Sequence, residues 1–467
     1  MSIQQTLKKL SKSDLVQMLT ELHGRHDDID QIIARRTALG SATEKTLYTV
    51  IQRQLQHVAK DSSFIDYYGS GNYANHLYCL LTDINTLLRE YSPDQALEAT
   101  EEFIWLHESI FERADDSNGE LGGVFREAVD QWLDIAAEVR SLNPQAQNWL
   151  DKVLAFFKGN DYGVLDNIIR NSSALLSDDE LTQLACRFEA QAKQALDTQH
   201  KAKGKGYNSE AAHAAIGMQS VAEAKGDMAL FEKAYLLISA NPNTLQLAQI
   251  VAFAVAIQDF HRAAYWLEQP AWKEDPSRFK SLRNHLLTAQ GNTKQLKKYL
   301  AEDFHENPSA FSLESYWEVA DKTEQKTLRN QMPELVKEVR NPDTAITMAL
   351  IVKHNDLAES LLLEYGTQLT ELYYVTFLRW LEQLDEKNHP LACIVCYRCL
   401  LTNLLDRGYA KAYHHGADYF HKLLKLDEKI GDYKKLLDAQ AYIRSLQEKH
   451  WRKRSFWQQA DYPSKPL

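Results

Sequence analysis

The segment DRGYAKAYHHGADYFHKL, Asp406–Leu423, gathers side chains that could do chemistry. At 100° per residue, Arg407, Lys411, His414, Asp418 and His421 fall within about 80° of one another on a single helix. Tyr409, Ala412, Tyr413, Tyr419 and Phe420 fall on the opposite face. The i, i+4, i+7 set His414, Asp418, His421 has residue types that bind a metal or move protons. The same ridge is equally a polar stripe that faces solvent or a partner and is laced by helical ion pairs. No H-E-x-x-H, nucleophile elbow or phosphate loop accompanies it. It is therefore taken as a candidate binding surface, with no catalytic residue, metal or cofactor assigned.

A second constellation, CIVCYRC, spaces Cys393, Cys396 and Cys399 by three residues, with His389 or Cys186 as a fourth potential ligand. Positions i, i+3 and i+6 spread over about 240° of a helix, so they converge on one ion only if the helix unwinds. The apolar run around them predicts buried, inert thiols. In DDSNGELGGVFRE, Asp115, Asp116, Asn118 and Glu120 approach a calcium loop. Ser117 and Gly119 break the ligand alternation, so a helix-to-helix turn is expected. QHKAKGKGYN lacks the Walker spacing and a preceding strand, so Lys201, Lys203 and Lys205 with Gly204 and Gly206 predict an exposed hinge or loop.

The C-terminal stretch YIRSLQEKHWRKRSFWQQ interleaves cations with aromatics. Arg444, Lys449, Arg452, Lys453 and Arg454 against Glu448 give five minus one, or +4, over 444–454. Tyr442, Leu446, His450 and Trp457 share a helical stripe with Lys453 embedded in it. The stripe predicts a helix that caps the end of a repeat array, with its basic side left available.

The elements that position these residues are helical throughout. In SKSDLVQMLTEL, Ser13 is the expected cap, and Leu15, Met18, Leu19 and Leu22 share a face. Leu77, Leu80, Leu81, Ile84, Leu87 and Leu88 repeat the pattern in NHLYCLLTDINTLLREY. In the second half, polar turns recur at Asp227, Asp259, Asn292 and Asp356, separated by 32, 33 and 64 residues. Further turns are expected near Lys322 and Asn388. Each unit of two short helices cannot bury its own apolar face and must stack on its neighbours. The period is close to that of a tetratricopeptide array, without that repeat's full consensus. The expected class is all-α, an α-solenoid of helical hairpins with a period of about 32 residues in the second half. The expected divisions are an N-terminal helical region, 1–198, a Lys/Gly-rich loop or hinge, 199–208, and a repeat region, 209–467, that ends in the capping helix.

Composition narrows the function classes. The 467 residues are 44% apolar and 25% charged, with net charge -11. An acidic chain of this kind meets a polyanion only through a local basic patch. Five cysteines at irregular spacing predict no disulfide framework. The opening MSIQQTLKKLSKSDL has no apolar h-region, and no uncharged apolar run of about 18 residues occurs. A cytoplasmic protein is expected.

SKSDLVQMLTEL, FIDYYGSGNYANHLYCLL, DDSNGELGGVFREAVDQWLDIA, NDYGVLDNIIRNSSALLSDDEL, RGYAKAYHHGADYF and YIRSLQEKHWRKRSFWQ occur in this order along almost the whole chain. In these segments it resembles a bacterial family of α-helical repeat proteins of unknown function, whose members stand alone or follow SWIM-type zinc fingers. The resemblance implies an α-solenoid and no established enzymatic activity. The finger's C-x-C and C-x-H pairs are absent, so its zinc-dependent binding is not carried over. Arg407, Lys411, Tyr413, His415 and Arg452–Lys453–Arg454 match the family pattern, and Tyr413 faces the apolar side. The candidate surface is thus Arg407, Lys411, His414, His415, Asp418, His421, Lys449, Arg452, Lys453 and Arg454. The leading expectation is a non-enzymatic scaffold or adaptor for a partner protein. A nucleic-acid-associated protein using the basic C-terminal helix is the alternative, and an enzyme or metal protein at His414/Asp418/His421 the second.

Overall fold

The computed structural model describes residues 10–24, 29, 44–144, 147–202, 206–384 and 387–465. Its fold class is all-α, a helical repeat of the α-solenoid kind. Among the described residues there is no strand, only an isolated parallel bridge between Ile65 and Ala114. Two compact units divide the chain, Met1–Leu282 and Arg283–Leu467.

In the first unit, α1 (Lys12–Leu22) is followed by α2 (Glu44–Lys60), α3 (Tyr67–Asp83), α4 (Pro93–Phe111), α5 (Glu120–Leu142) and α6 (Trp149–Lys158). Then come α7 (Asp178–Lys201), α8 (Ser209–Lys225), α9 (Met228–Ile238), α10 (Thr244–Ala256) and α11 (Phe260–Leu267). Helix α12 (Pro276–Ala289) contains the division. The second unit continues with α13 (Thr293–Glu306), α14 (Ala310–Val319), α15 (Lys322–Leu335), α16 (Pro342–Ile351), α17 (Asn355–Tyr365) and α18 (Tyr374–Gln383). It ends with α19 (Pro390–Arg407), α20 (Tyr413–Asp427), α21 (Ala439–His450) and α22 (Arg454–Gln459).

Helix α1 starts two residues earlier than expected. Ser11, not Ser13, is the cap, and Asp14 closes a capping box with it. Its apolar face, Leu15, Met18, Leu19 and Leu22, contains no buried residue. The periodic leucines of α3 behave as expected. Leu77, Leu80, Leu81, Ile84 and Leu88 are buried and Leu87 packs against them, across a π-helical turn at Ile84–Leu88.

Four of the repeat hairpins share one turn. Gly226, Gln258, Gly291 and Lys353 adopt φ of 65°, 63°, 66° and 57°. The N–H of the residue after each closes back on the first helix. Asp227 donates to Ala222 O at 2.9 Å, Asp259 to Ala254 at 2.8 Å, Asn292 to Leu287 at 2.9 Å and His354 to Ala349 at 2.9 Å. That residue's side chain then caps the second helix. Asp227 Oδ1 accepts from Leu230 N at 3.0 Å, Asp259 Oδ1 from Arg262 N at 3.1 Å, and Asn292 Oδ1 from Gln295 N at 3.2 Å. His354 Nδ1 accepts from Leu357 N at 3.4 Å. One short polar turn thereby satisfies the end of one helix and the start of the next. The expected anchor at Asp356 moves to His354. Near Lys322, Asp321 is the cap, but extended Ala320 replaces the left-handed residue. Near Asn388, His389 occupies the cap position without a side-chain bond and Pro390 starts the helix.

Left-handed backbone costs an L-residue about 1–2 kcal/mol, partly offset by glycine's larger entropy loss on folding. Lys353→Gly is therefore expected to stabilise by about 0.5 kcal/mol, and Gly226→Ala to destabilise by about 1 kcal/mol. No atom lies within 4 Å of a Cβ at Gly226, so its penalty is purely conformational. Urea unfolding midpoints of the two variants check the signs.

The segment expected as a loop or hinge, 199–208, lies within the first unit. Helix α7 runs to Lys201, and Asn208 caps α8 while donating to Ala195 O and Gln199 Oε1 at 3.1 and 3.2 Å. Lys203, Gly204 and Lys205 lie outside the described residues. Leu184, Phe188 and Ala192 of α7 share one core with Ala214, Met218 and Val221 of α8. Helices α7 and α8 form a packed hairpin inside the first unit.

Candidate functional site

The candidate ridge near the C terminus is not one helix. Helix α19 stops at Arg407 because Gly408 turns left-handed, with φ of 67°, and a 3-10 turn over Ala410–Ala412 precedes α20. Arg407 and Lys411 therefore do not continue the ridge of His414, Asp418 and His421, although all five are exposed. The three α20 residues keep their helical spacing. His421 Nε2 lies 3.0 Å from Ala460 O, where it donates, so this ring ties α20 to the segment after α22. The His414 and His415 rings lie 3.9 Å apart. Among the described residues no group of three or more His, Cys, Asp or Glu could hold a metal ion. Tyr413 is buried against Phe456, in keeping with a packing role.

Helices α21 and α22 close the second unit. Tyr442, Leu446, His450 and Trp457 are buried, as their stripe requires. Trp457 Nε1 donates to His450 O at 3.0 Å, and its ring packs edge-on against Phe420 and Phe456. The basic residues divide. Lys449 pairs with Asp406 at 2.7 Å. A Cβ on Gly408 would lie 3.3 Å from Lys453 Nζ, which places this ammonium at the carboxyl end of α19. Both lysines thus complement the negative end of the α19 dipole. Arg452 and Arg454 are exposed.

His450 Nε2 is 3.3 Å from Asp406 Oδ1. Burial lowers the His450 pKa, and Lys449 and Lys453 add to this, against Asp406, which raises it. Because the folded ring resists protonation, stability is fully present above the ordinary imidazole pKa of about 6.5. It is lost as pH falls from there through the depressed folded value. A urea midpoint measured across that window should fall less in His450→Gln than in the wild type.

The cysteine run behaves as a buried helix face. Cys393, Cys396 and Cys399 are all buried within continuous α19. Burial pushes the Cys396 thiol well up and that of Cys399 to about 12, so neither is a thiolate at neutral pH. Cys399 donates to Gly366 O at 3.2 Å. His389 faces Glu359, with Nδ1 3.7 Å from Oε2.

In the first unit the Asp115–Glu120 segment is the turn expected of it. Gly119 is left-handed, and the Asp116 carboxylate accepts from Leu121 N and Gly122 N, each at 2.9 Å. FIDYYGSGNYANHLY pairs with this turn, Ile65 N donating to Arg113 O at 2.9 Å and Asn118 Nδ2 to Ser70 Oγ at 2.9 Å.

A cleft that motif reading missed opens between two successive hairpins, α8–α9 and α10–α11. Its volume is about 500 Å³, a size typical of ligand and side-chain pockets. Leu236, Pro242, Tyr265 and Pro270 form apolar walls around Arg262 and Glu232. Buried Glu232 accepts from Trp266 Nε1 at 2.6 Å, and Arg262 Nη2 lies 3.4 Å from its other oxygen. This carboxylate of α9 thereby holds two side chains of α11 and satisfies its own buried charge. Leu236 and Tyr265 remain exposed at the rim. The only trace in the sequence is an aromatic pair, Tyr265–Trp266, beside a repeat turn. The partner Glu232 lies 34 residues away and no local pattern links it.

A model of a family of unknown function (DUF6880) matches residues 3–459. No curated protein and no solved structure matches the chain.

Proposed function

The chain belongs to that family of unknown function, and from the geometry of its hairpins we propose that it is a non-enzymatic scaffold or adaptor that binds a partner protein. The observation that supports this is the cleft between consecutive hairpins, with exposed Leu236 and Tyr265 over the Glu232–Arg262 pair. An aromatic and an aliphatic anchor beside a fixed charge pair are the features by which a groove grips one protruding side chain and its flanking backbone. Stacked hairpins supply such grooves repeatedly without a catalytic constellation. The proposed setting is the bacterial cytoplasm. No described helix is long and apolar enough to cross a membrane.

Affinity purification of the tagged chain from its native cells, with nuclease treatment, tests the reading. A defined protein partner that survives nuclease is expected. Recovery of partners only when nucleic acid is intact would overturn it.

A further inference from the structure

The division of labour in the basic C-terminal run has a second half. Lys449 and Lys453 complement the end of α19, but Arg452 and Lys465 lie against a single aromatic ring. Arg452 Cζ is 5.0 Å and Lys465 Nζ is 5.1 Å from the centroid of Trp451. Trp451 keeps 39% of its surface exposed, whereas Trp457 is buried in the core. Among the described residues Arg452, Arg454 and Lys465 form no ion pair. The partly exposed indole holds the two unneutralised cations near it by cation–π attraction.

We infer that Trp451, Arg452 and Lys465 form a stacking platform for single-stranded nucleic acid, in which a base takes the place of a cation over the indole and the two cations move to the adjoining phosphates. Every base has a π-face that an indole accepts, and unpaired bases are free to present it. An acidic peptide would use the cations but gain nothing from the exposed ring. A duplex would keep its bases from it. The body of the chain is acidic, at net charge -11, so attraction is confined to this corner and the contact is short. Two neutralised phosphates predict a slope of about -1.4 for log affinity against log salt, since each contributes about -0.7 on a single strand. The site is separate from the hairpin cleft and does not depend on the scaffold reading.

The test is fluorescence anisotropy of a labelled oligothymidylate with the full chain, from low to physiological salt. Saturable binding with the shallow slope above is expected. Trp451→Ala should weaken it by at least about fivefold, the lower range for one lost stacked base, and Trp451→Phe should retain most of it. Arg452→Gln with Lys465→Gln should flatten the salt dependence. Lys449→Gln, at a lysine already paired with Asp406, should leave affinity unchanged. Absence of binding at low salt would overturn the inference. So would equal binding by Trp451→Ala with its thermal transition intact, and so would a duplex of the same length binding as well. Competition by polyglutamate as effective as by unlabelled oligothymidylate would reassign the patch to acidic proteins.

Discussion

Gly217→Val is expected to destabilise the first unit by about 3 kcal/mol, although valine is the better helix former. A Cβ at Gly217 would sit 2.6 Å from the Phe188 ring, closer than any real Cβ contact. Phe188 cannot yield, because it is itself buried and stacked edge-on against Phe157 at 5.1 Å. The glycine lets the α8 backbone lie directly on a ring of α7. The added branches must push the two helices apart or force Phe188 off its rotamer. The urea midpoint followed by circular dichroism measures the loss. A midpoint equal to the wild type would mean that α7 and α8 separate freely and that the turn is a hinge.

Trp457→Ala is the second large effect, expected at about 3–5 kcal/mol for a buried tryptophan. The ring is 2% exposed, packs with Phe420, Phe456 and Tyr462, and anchors its indole N–H on His450 O. Its removal leaves a cavity and takes one of two donors from His450 O, which keeps the Lys453 N–H at 3.0 Å. Arg452→Ala, one turn away and exposed, should change stability by less than about 0.5 kcal/mol. If the two variants melted alike, the C-terminal helices would not close the second unit.

These expectations show which features local sequence carries. Helix class and the repeat turns are written in short range. A polar cap residue after an apolar stripe marks Asp227, Asp259 and Asn292, where the structure places N-caps. The shift from Asp356 to His354 escaped because histidine is rarely a cap and Lys353 stands where glycine stands in two of the other turns. The candidate ridge failed at one residue. Gly408 interrupts a pattern that a helical wheel treats as continuous, and its left-handed conformation redirects everything after Arg407. Composition cannot tell a hinge from a hairpin turn. Lys/Gly-rich segments serve as either, and the difference lies in whether the flanking helices fit, here Phe188 on Gly217. The hairpin cleft depends on Glu232 meeting Arg262 and Trp266 across two hairpins of the first unit, which no motif encodes. The basic run was legible as charge, but not its partition between the α19 terminus and Trp451.

The most direct test of the scaffold reading is to compare partners retained by the wild type and by Leu236→Glu/Tyr265→Glu after nuclease treatment. Both side chains are exposed at the cleft rim, so the fold should survive and circular dichroism should be unchanged. The protein partner is expected to be lost from the double variant and kept by Arg452→Gln/Lys465→Gln. The same partner bound undiminished by the cleft variant would contradict the scaffold reading.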